Sequence, residues 1–119
     1  MTPPVATEIR VRRATRALDV TFSDGRQATL PAEYLRVESP SAEVQGHAPD
    51  QKILVTGKED VNVQAVEPIG NYAIRIRFTD GHDTGIYSWS LLHQLAVEHD
   101  DRWQAYLHAL AARGLHRRP

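Results

Sequence analysis

Alternation of apolar and polar side chains is the strongest regularity in this chain. Ile9 and Val11 alternate with polar neighbours across Glu8 to Arg13, and Leu18, Val20 and Phe22 do the same just before Ser23-Asp24-Gly25. A period of two turns one face of a strand to a core and the other to water, so both stretches read as half-buried strands. Asp-Gly supplies the positive φ angles of a tight turn, which returns the chain through Arg26 to Leu30. Pro31 suits the first position of a short helical turn over Ala32 to Leu35, where its missing amide proton would have had no partner.

The same grammar comes back later. Ile74, Ile76 and Phe78 alternate with Arg75 and Arg77, Asp80-Gly81 makes a turn, His82 to Tyr87 returns, and Ser88 is placed to cap a helix. Leu18-Asp-Val-Thr-Phe-Ser-Asp-Gly lines up with Ile74-Arg-Ile-Arg-Phe-Thr-Asp-Gly. Two strand-turn-strand-helix units are expected, too few for a solenoid. Between them lie loop chemistry at Ser39-Pro40-Ser41 and Gly46-His47-Ala48-Pro49, then short apolar runs at Ile53 to Val55 and Val61 to Val66 that read as further strands.

Trp89, Leu92 and Ala96, with Leu95 beside them, fall at helical spacing. After Asp100-Asp101, Trp103, Tyr106, Leu107 and Leu110 mark a second helix. Carboxylates at its start suit the helix dipole, and Gly114 suits its end. The fold class expected is α+β: an antiparallel sheet built from two strand-turn-strand-helix units, with C-terminal helices packed on one face. All 119 residues read as a single domain with a core from about residue 8 to residue 113.

Composition narrows the chemistry. The chain has no Cys, which removes disulfides, thiolate metal sites, cysteine-ligated iron–sulfur clusters and cysteine nucleophiles. Its formal net charge of -1 supplies no global field to recruit nucleic acid or anionic lipid. The first residues hold no apolar run that could serve as a signal-peptide core, and no later run approaches a membrane span, so a cytoplasmic location is expected.

The densest candidate site is Thr79-Asp80-Gly81-His82-Asp83-Thr84-Gly85-Ile86-Tyr87-Ser88-Trp89. An imidazole beside a carboxylate is a common start to a metal shell, so His82 and Asp83 are candidate iron or zinc ligands, with His47, His93 or His99 as further donors. The competing reading is structural: Asp80-Gly81 forms the turn, Asp83 and Thr84 bond nearby backbone, and Trp89 anchors the helix. If the first helix runs on to His99, His93 and His99 point to different faces and make no ligand pair; each of them, like His108, reads as a surface or boundary residue. No nucleophile elbow is present, and Ser39, Ser41, Ser88 and Ser90 sit in loop or cap contexts. Arg10 and Arg12 share one outward strand face and Arg75 and Arg77 another. If those strands are neighbours they form a basic stripe fit for an acidic protein, a phosphate or nucleic acid; otherwise they are an ordinary charged face. No aromatics interleave them.

Leu30-Pro31-Ala32-Glu33-Tyr34-Leu35-Arg36, Ser39-Pro40-Ser41-Ala42-Glu43-Val44-Gln45-Gly46-His47 and Phe78-Thr79-Asp80-Gly81-His82-Asp83-Thr84-Gly85-Ile86-Tyr87-Ser88-Trp89 together resemble the gamma-butyrobetaine hydroxylase-like N-terminal domain family. In the eukaryotic hydroxylases this domain precedes an iron and 2-oxoglutarate oxygenase domain and holds zinc through three cysteines and a histidine. The resemblance places that histidine at His82 and the cysteines at about Ser39, Ser41 and Val44, so three of the four ligands are lost and the Cys3His site is not retained. A similar domain ends the plastid iron–sulfur carriers of the P-loop type, which implies an accessory role around iron or iron–sulfur proteins.

Two functions remain open on this footing. One is a non-catalytic interaction module with another protein as partner, whose hairpin surface comprises Asp80, His82, Asp83, Tyr87 and Trp89, with His47, Arg75 and Arg77 as further candidates. The other is an iron- or zinc-binding protein using His82 and Asp83. A monomer or a homodimer is expected, the latter by pairing of the strand edge at Glu8 to Arg13, with neither membrane nor nucleic acid as partner.

Overall fold

A computed structural model describes residues 2–46 and 52–117. It shows an α+β architecture of two antiparallel three-stranded sheets and four α-helices. Strands β1 (Ala6–Arg12), β2 (Ala17–Phe22) and β3 (Gln27–Pro31) form the first sheet and lead into α1 (Ala32–Val37). A short helix, α2 (Ala42–Gln45), follows. Strands β4 (Val63–Ile69), β5 (Ala73–Phe78) and β6 (Ile86–Ser88) form the second sheet and lead into α3 (Trp89–Val97) and α4 (His99–Ala112). In each sheet the strands lie in chain order, so both are meanders with the second strand in the middle.

The expected repeat is present, and it reaches down to individual hydrogen bonds. In the first unit Phe22 N–H donates to the Arg26 carbonyl at 2.9 Å and Gly25 N–H to the Phe22 carbonyl at 3.0 Å; in the second, Phe78 donates to His82 at 2.9 Å and Gly81 to Phe78 at 3.0 Å. Gly25 and Gly81 hold φ values of 89° and 92°, the left-handed region that Asp-Gly turns need. Even the register irregularity recurs, between Ala6 and Glu8 on β1 and between Val63 and Ala65 on β4. Each helix start is tied to the residue that leads into its sheet's middle strand, Ala32 N–H to the Arg16 carbonyl and Trp89 N–H to the Tyr72 carbonyl.

Alternation does its work as expected. Leu18, Val20 and Phe22 of β2 and Ile74, Ile76 and Phe78 of β5 are buried in one core with Leu30, Tyr34, Leu35, Tyr87, Leu92 and Leu95. Two phenols stitch the units together. Tyr34 Oη donates to the Leu95 carbonyl at 2.7 Å and Tyr87 Oη to the Leu35 carbonyl at 2.6 Å, so each buried tyrosine satisfies the end of the other unit's helix. Desolvation raises both tyrosine pKa values and keeps them protonated donors.

The structure departs from the sequence reading in three places. The return from the second turn is strand only over Ile86–Ser88, not from His82. Ile53 to Val55 is not a strand: Leu54 and Val55 pack beside the buried Val37, Tyr106 and Leu110, and the Val55 carbonyl accepts from Tyr106 Oη at 2.6 Å. Its apolar side chains are used against α4, not in a sheet. The four arginines do not form one stripe, because β1 and β5 belong to different sheets and carboxylates are interleaved. Arg10 pairs with Glu8, Arg12 with Asp19, and both Arg75 and Arg77 with Glu67 at 2.5 and 2.9 Å.

Candidate functional site

The second turn and the segment after α1 meet in a buried polar cluster. Ser39 follows the end of α1, and Ser41 caps α2, its Oγ accepting from Glu43 N–H at 3.2 Å. The turn brings His82 against both. Its imidazole side chain is only 2 % exposed, with Nε2 at 2.8 Å from Ser39 Oγ and Nδ1 at 3.0 Å from Glu43 Oε2. A carboxylate only accepts hydrogen bonds, so the neutral ring donates from Nδ1 to Glu43 and accepts at Nε2 from the Ser39 hydroxyl. Ser39 Oγ in turn accepts from Ser41 N–H at 3.3 Å, and Ser41 Oγ lies 2.6 Å from Thr84 Oγ1.

The electrostatics agree with a neutral ring. Burial lowers the His82 pKa, and the Arg36 guanidinium lowers it further, against the pull of Glu43 and Asp80. Asp80, two residues earlier, does two jobs. Its Oδ1 accepts from His82 N–H at 3.1 Å and fixes the turn, while its Oδ2 takes Arg36 Nε at 2.8 Å and Lys58 Nζ at 2.7 Å. Burial alone would raise this carboxyl; the hydrogen bonds from Lys58, the His82 amide and Arg36 outweigh it and hold the pKa at about 2. The hairpin is thus clamped from beneath by a charged pair and from the side by the imidazole network.

Carboxylate, imidazole and hydroxyl in line is an order that hydrolases use to activate a serine. Here the hydroxyl has no way to reach a substrate. Ser39 is fully buried, and Gly85 passes so close that a Cβ there would lie 2.7 Å from Ser39 Oγ, with Tyr87 and Pro40 as the next neighbours. The absent side chain of Gly85 is what lets the return strand close over the serine.

The positions that the family resemblance matched to zinc ligands do come together in part. Ser39 touches His82, and Ser41 reaches the same turn through Thr84, but Val44 contributes a buried isopropyl group. Hydroxyls and a hydrocarbon do not supply the thiolates of a Cys3His site, so these residues do not fit that ion. Among the described residues no three His, Cys, Asp or Glu side chains are grouped to hold a metal.

Of the other sequence candidates, Asp83 is exposed beside the buried His82. Tyr87 is a core residue, and Trp89 is half-buried with its indole Nε1–H donating to the Asn71 carbonyl at 2.7 Å. Arg75 and Arg77 pair with Glu67 of β4, not with a residue of the turn. His93 contacts Asp24 at 2.8 Å, His99 stacks on Tyr34, and His47 lies outside the described residues. Sequence reasoning missed Glu43, Arg36 and Lys58. Glu43 carried one signal, its place within the segment matched to the family cysteines; Lys58 carried none.

Comparison with known proteins closes the picture. The family model described as "Gamma-butyrobetaine hydroxylase-like, N-terminal" matches residues 9–93. A protein solved by NMR in solution is 47 % identical, with 100 % of this chain and 92 % of that chain covered and a TM-score of 0.83. A second NMR structure is 41 % identical over 99 % of this chain and 93 % of that one, with a TM-score of 0.85. The crystal structure of a DUF971-family protein of unknown function from Acidithiobacillus ferrooxidans is 42 % identical over 76 % of this chain and 91 % of that one, with a TM-score of 0.65. No curated protein matches the chain.

Proposed function

The chain belongs to the gamma-butyrobetaine hydroxylase-like N-terminal domain family, and on that premise we propose that it is a non-catalytic interaction module that holds its hairpin by hydrogen bonds at the place where the resemblance puts the zinc site of the eukaryotic hydroxylases. One observation carries this: both ring nitrogens of His82 are already taken by side chains of the same chain, Ser39 and Glu43. An imidazole so engaged has no lone pair left for a metal while the network stands. The serine it contacts is sealed under Gly85, which supports a structural use of the triad-like order over a catalytic one.

What the clamped hairpin offers outward is its return arm. Asp83 and Ile86 are exposed, the latter by 48 %, between a turn fixed by Asp80 and His82 and the start of β6. An arm so anchored, with one acid and one aliphatic side chain, costs little ordering entropy when a partner protein covers it. The accessory role around iron or iron–sulfur proteins implied by the family resemblance is the setting in which that partner is to be sought.

Metal analysis and partner capture test this together. Tag-free protein purified without chelators is expected to carry far less than one iron or zinc per chain. Asp83→Lys and Ile86→Lys should weaken partner capture without lowering the unfolding temperature. Close to one metal per chain, lost in His82→Ala, would overturn the metal-free reading in favour of a rebuilt iron or zinc site.

A further inference from the structure

A buried carboxylate lies outside the hairpin cluster. Glu33, in the first turn of α1, is 7 % exposed, and its one cationic partner among the described residues comes from the far end of the chain. After α4 ends at Ala112 the chain turns at Gly114, whose φ is 65°, and runs through exposed residues to Arg117. There the guanidinium grips Glu33 with both prongs, Nε to Oε2 at 2.9 Å and Nη2 to Oε1, while its carbon sits 5.3 Å above the Trp103 ring. Trp103 is held edge-on to Tyr34, and Tyr34 stacks on His99 at 4.4 Å. These side chains line a hollow of about 240 Å³.

A planar fork on a carboxylate, covered by an indole face, is the geometry that recognises a guanidinium over an ammonium. The receptor half of the site, Glu33, Tyr34, His99 and Trp103, is built on α1 and α4. The ligand half is borne on a tail rooted on α4 by Gly114 N–H to the Ala111 carbonyl and Leu115 N–H to the Leu110 carbonyl, and beyond that root Gly57 N–H donates to the Arg117 carbonyl at 2.7 Å. A buried carboxylate left without its cation is costly, so a tail that lifts away leaves a vacancy that selects another guanidinium.

We propose that this hollow is an arginine-recognition site that Arg117 fills from within, and that a partner protein engages it by inserting an arginine side chain in place of the tail. Arg117 itself defines the occupant's chemistry, since it already satisfies both the fork and the aromatic face. The site is separate from the hairpin surface, and Asp83→Lys leaves it intact.

The test uses the full chain carrying Arg117→Ala and, as probe, a blocked pentapeptide with the sequence of residues 113–117. The Trp103 indole N–H resonance should shift saturably, with the Trp89 indole unmoved. The same peptide ending in lysine should bind at least tenfold more weakly, as should the arginine peptide on the native chain, whose own tail competes. Adding Glu33→Gln should abolish the shift. No saturable shift, or an equal response to the lysine peptide, would overturn the proposal. If Arg117→Ala does not fold, the peptide is titrated into native protein while the Arg117 side-chain Nε–H is followed; displacement is expected, and a resonance that stays put at peptide excess counts against the site. Native protein that dimerises with concentration, in a dimer dissolved by Arg117→Ala, would give the site to a second copy's tail and sink the partner reading.

Discussion

The two strand-turn-strand-helix units share a backbone plan and differ in what their turns do. In the first, Asp24 accepts from Arg26 N–H at 3.0 Å, as Asp80 does from His82 in the second. Arg26 then points into water, whereas His82 is buried against Ser39 and Glu43. Ala28 on β3 pairs with Val20; at the matching place in the second unit Ile76 N–H donates to the Gly85 carbonyl, and Gly85 has no room for a Cβ. Asp24 is met by His93 at the fifth position of α3, and Asp80 by Arg36 at the fifth position of α1. The lesson is that an Asp-Gly turn fixes only its own shape. Whether it becomes a plain surface corner or a clamped, half-sunken site is decided by what the rest of the chain brings against it.

The comparison can be broken at four points. The largest effect is expected from Gly85→Ala, which drives a methyl into Ser39 Oγ and should cost about 3 kcal/mol by denaturant unfolding. The reverse change in the first unit, Ala28→Gly, should cost about 1 kcal/mol through backbone entropy. Next, His82→Ala strands Ser39 and leaves a void, for a loss of about 2 kcal/mol, while Arg26→Ala leaves the unfolding midpoint in place.

A smaller effect, about 1 kcal/mol, is expected from Asp80→Asn, which weakens the grip on Arg36 and Lys58. Asp24→Asn should do less, because its carboxyl is more exposed, and a side-by-side melt of the two variants checks the order. The smallest is a pH effect. Burial and Arg36 hold His82 below its ordinary 6.5, so the unfolded chain takes up that proton first as pH falls. The stability the neutral ring contributes is therefore present above pH 6.5 and is lost as pH drops below it. Unfolding midpoints at pH 7.5 and 5 should show the loss, and His82→Gln should flatten it. A second loss belongs to Asp80, between its ordinary 3.8 and about 2.

Much of this was legible from local rules. The alternation of Leu18, Val20 and Phe22, the Asp-Gly turns and the Ser88 cap each depend on residues a few positions apart, and they placed both units and the start of α3. Long-range pairing was not legible in the same way. Arg36 reaches Asp80 and His93 reaches Asp24 across most of the domain, and no spacing rule encodes which helix a turn will meet. The apolar run at Ile53 to Val55 misled because burial against a helix and burial in a sheet ask for the same side chains. The resemblance to a zinc-holding family pointed to the right segment, Ser39 to Val44 with His82. Glu43 escaped notice because a carboxylate reads as surface until something buried turns toward it.

The reciprocal seating of each turn on the other unit's helix has a consequence for the half as an object. Taken alone, a single unit would show an aspartate with no hydrogen-bond donor on its own helix to answer it, and a tyrosine hydroxyl and a helix carbonyl each lacking its mate. It would be a surface searching for its own likeness. Two such halves, each lending the other a helix, close every one of these gaps, so the molecule has the logic of a symmetric pair written as one continuous polypeptide. Chain continuity then allows what identical subunits forbid: one corner stays plain while the other is specialised.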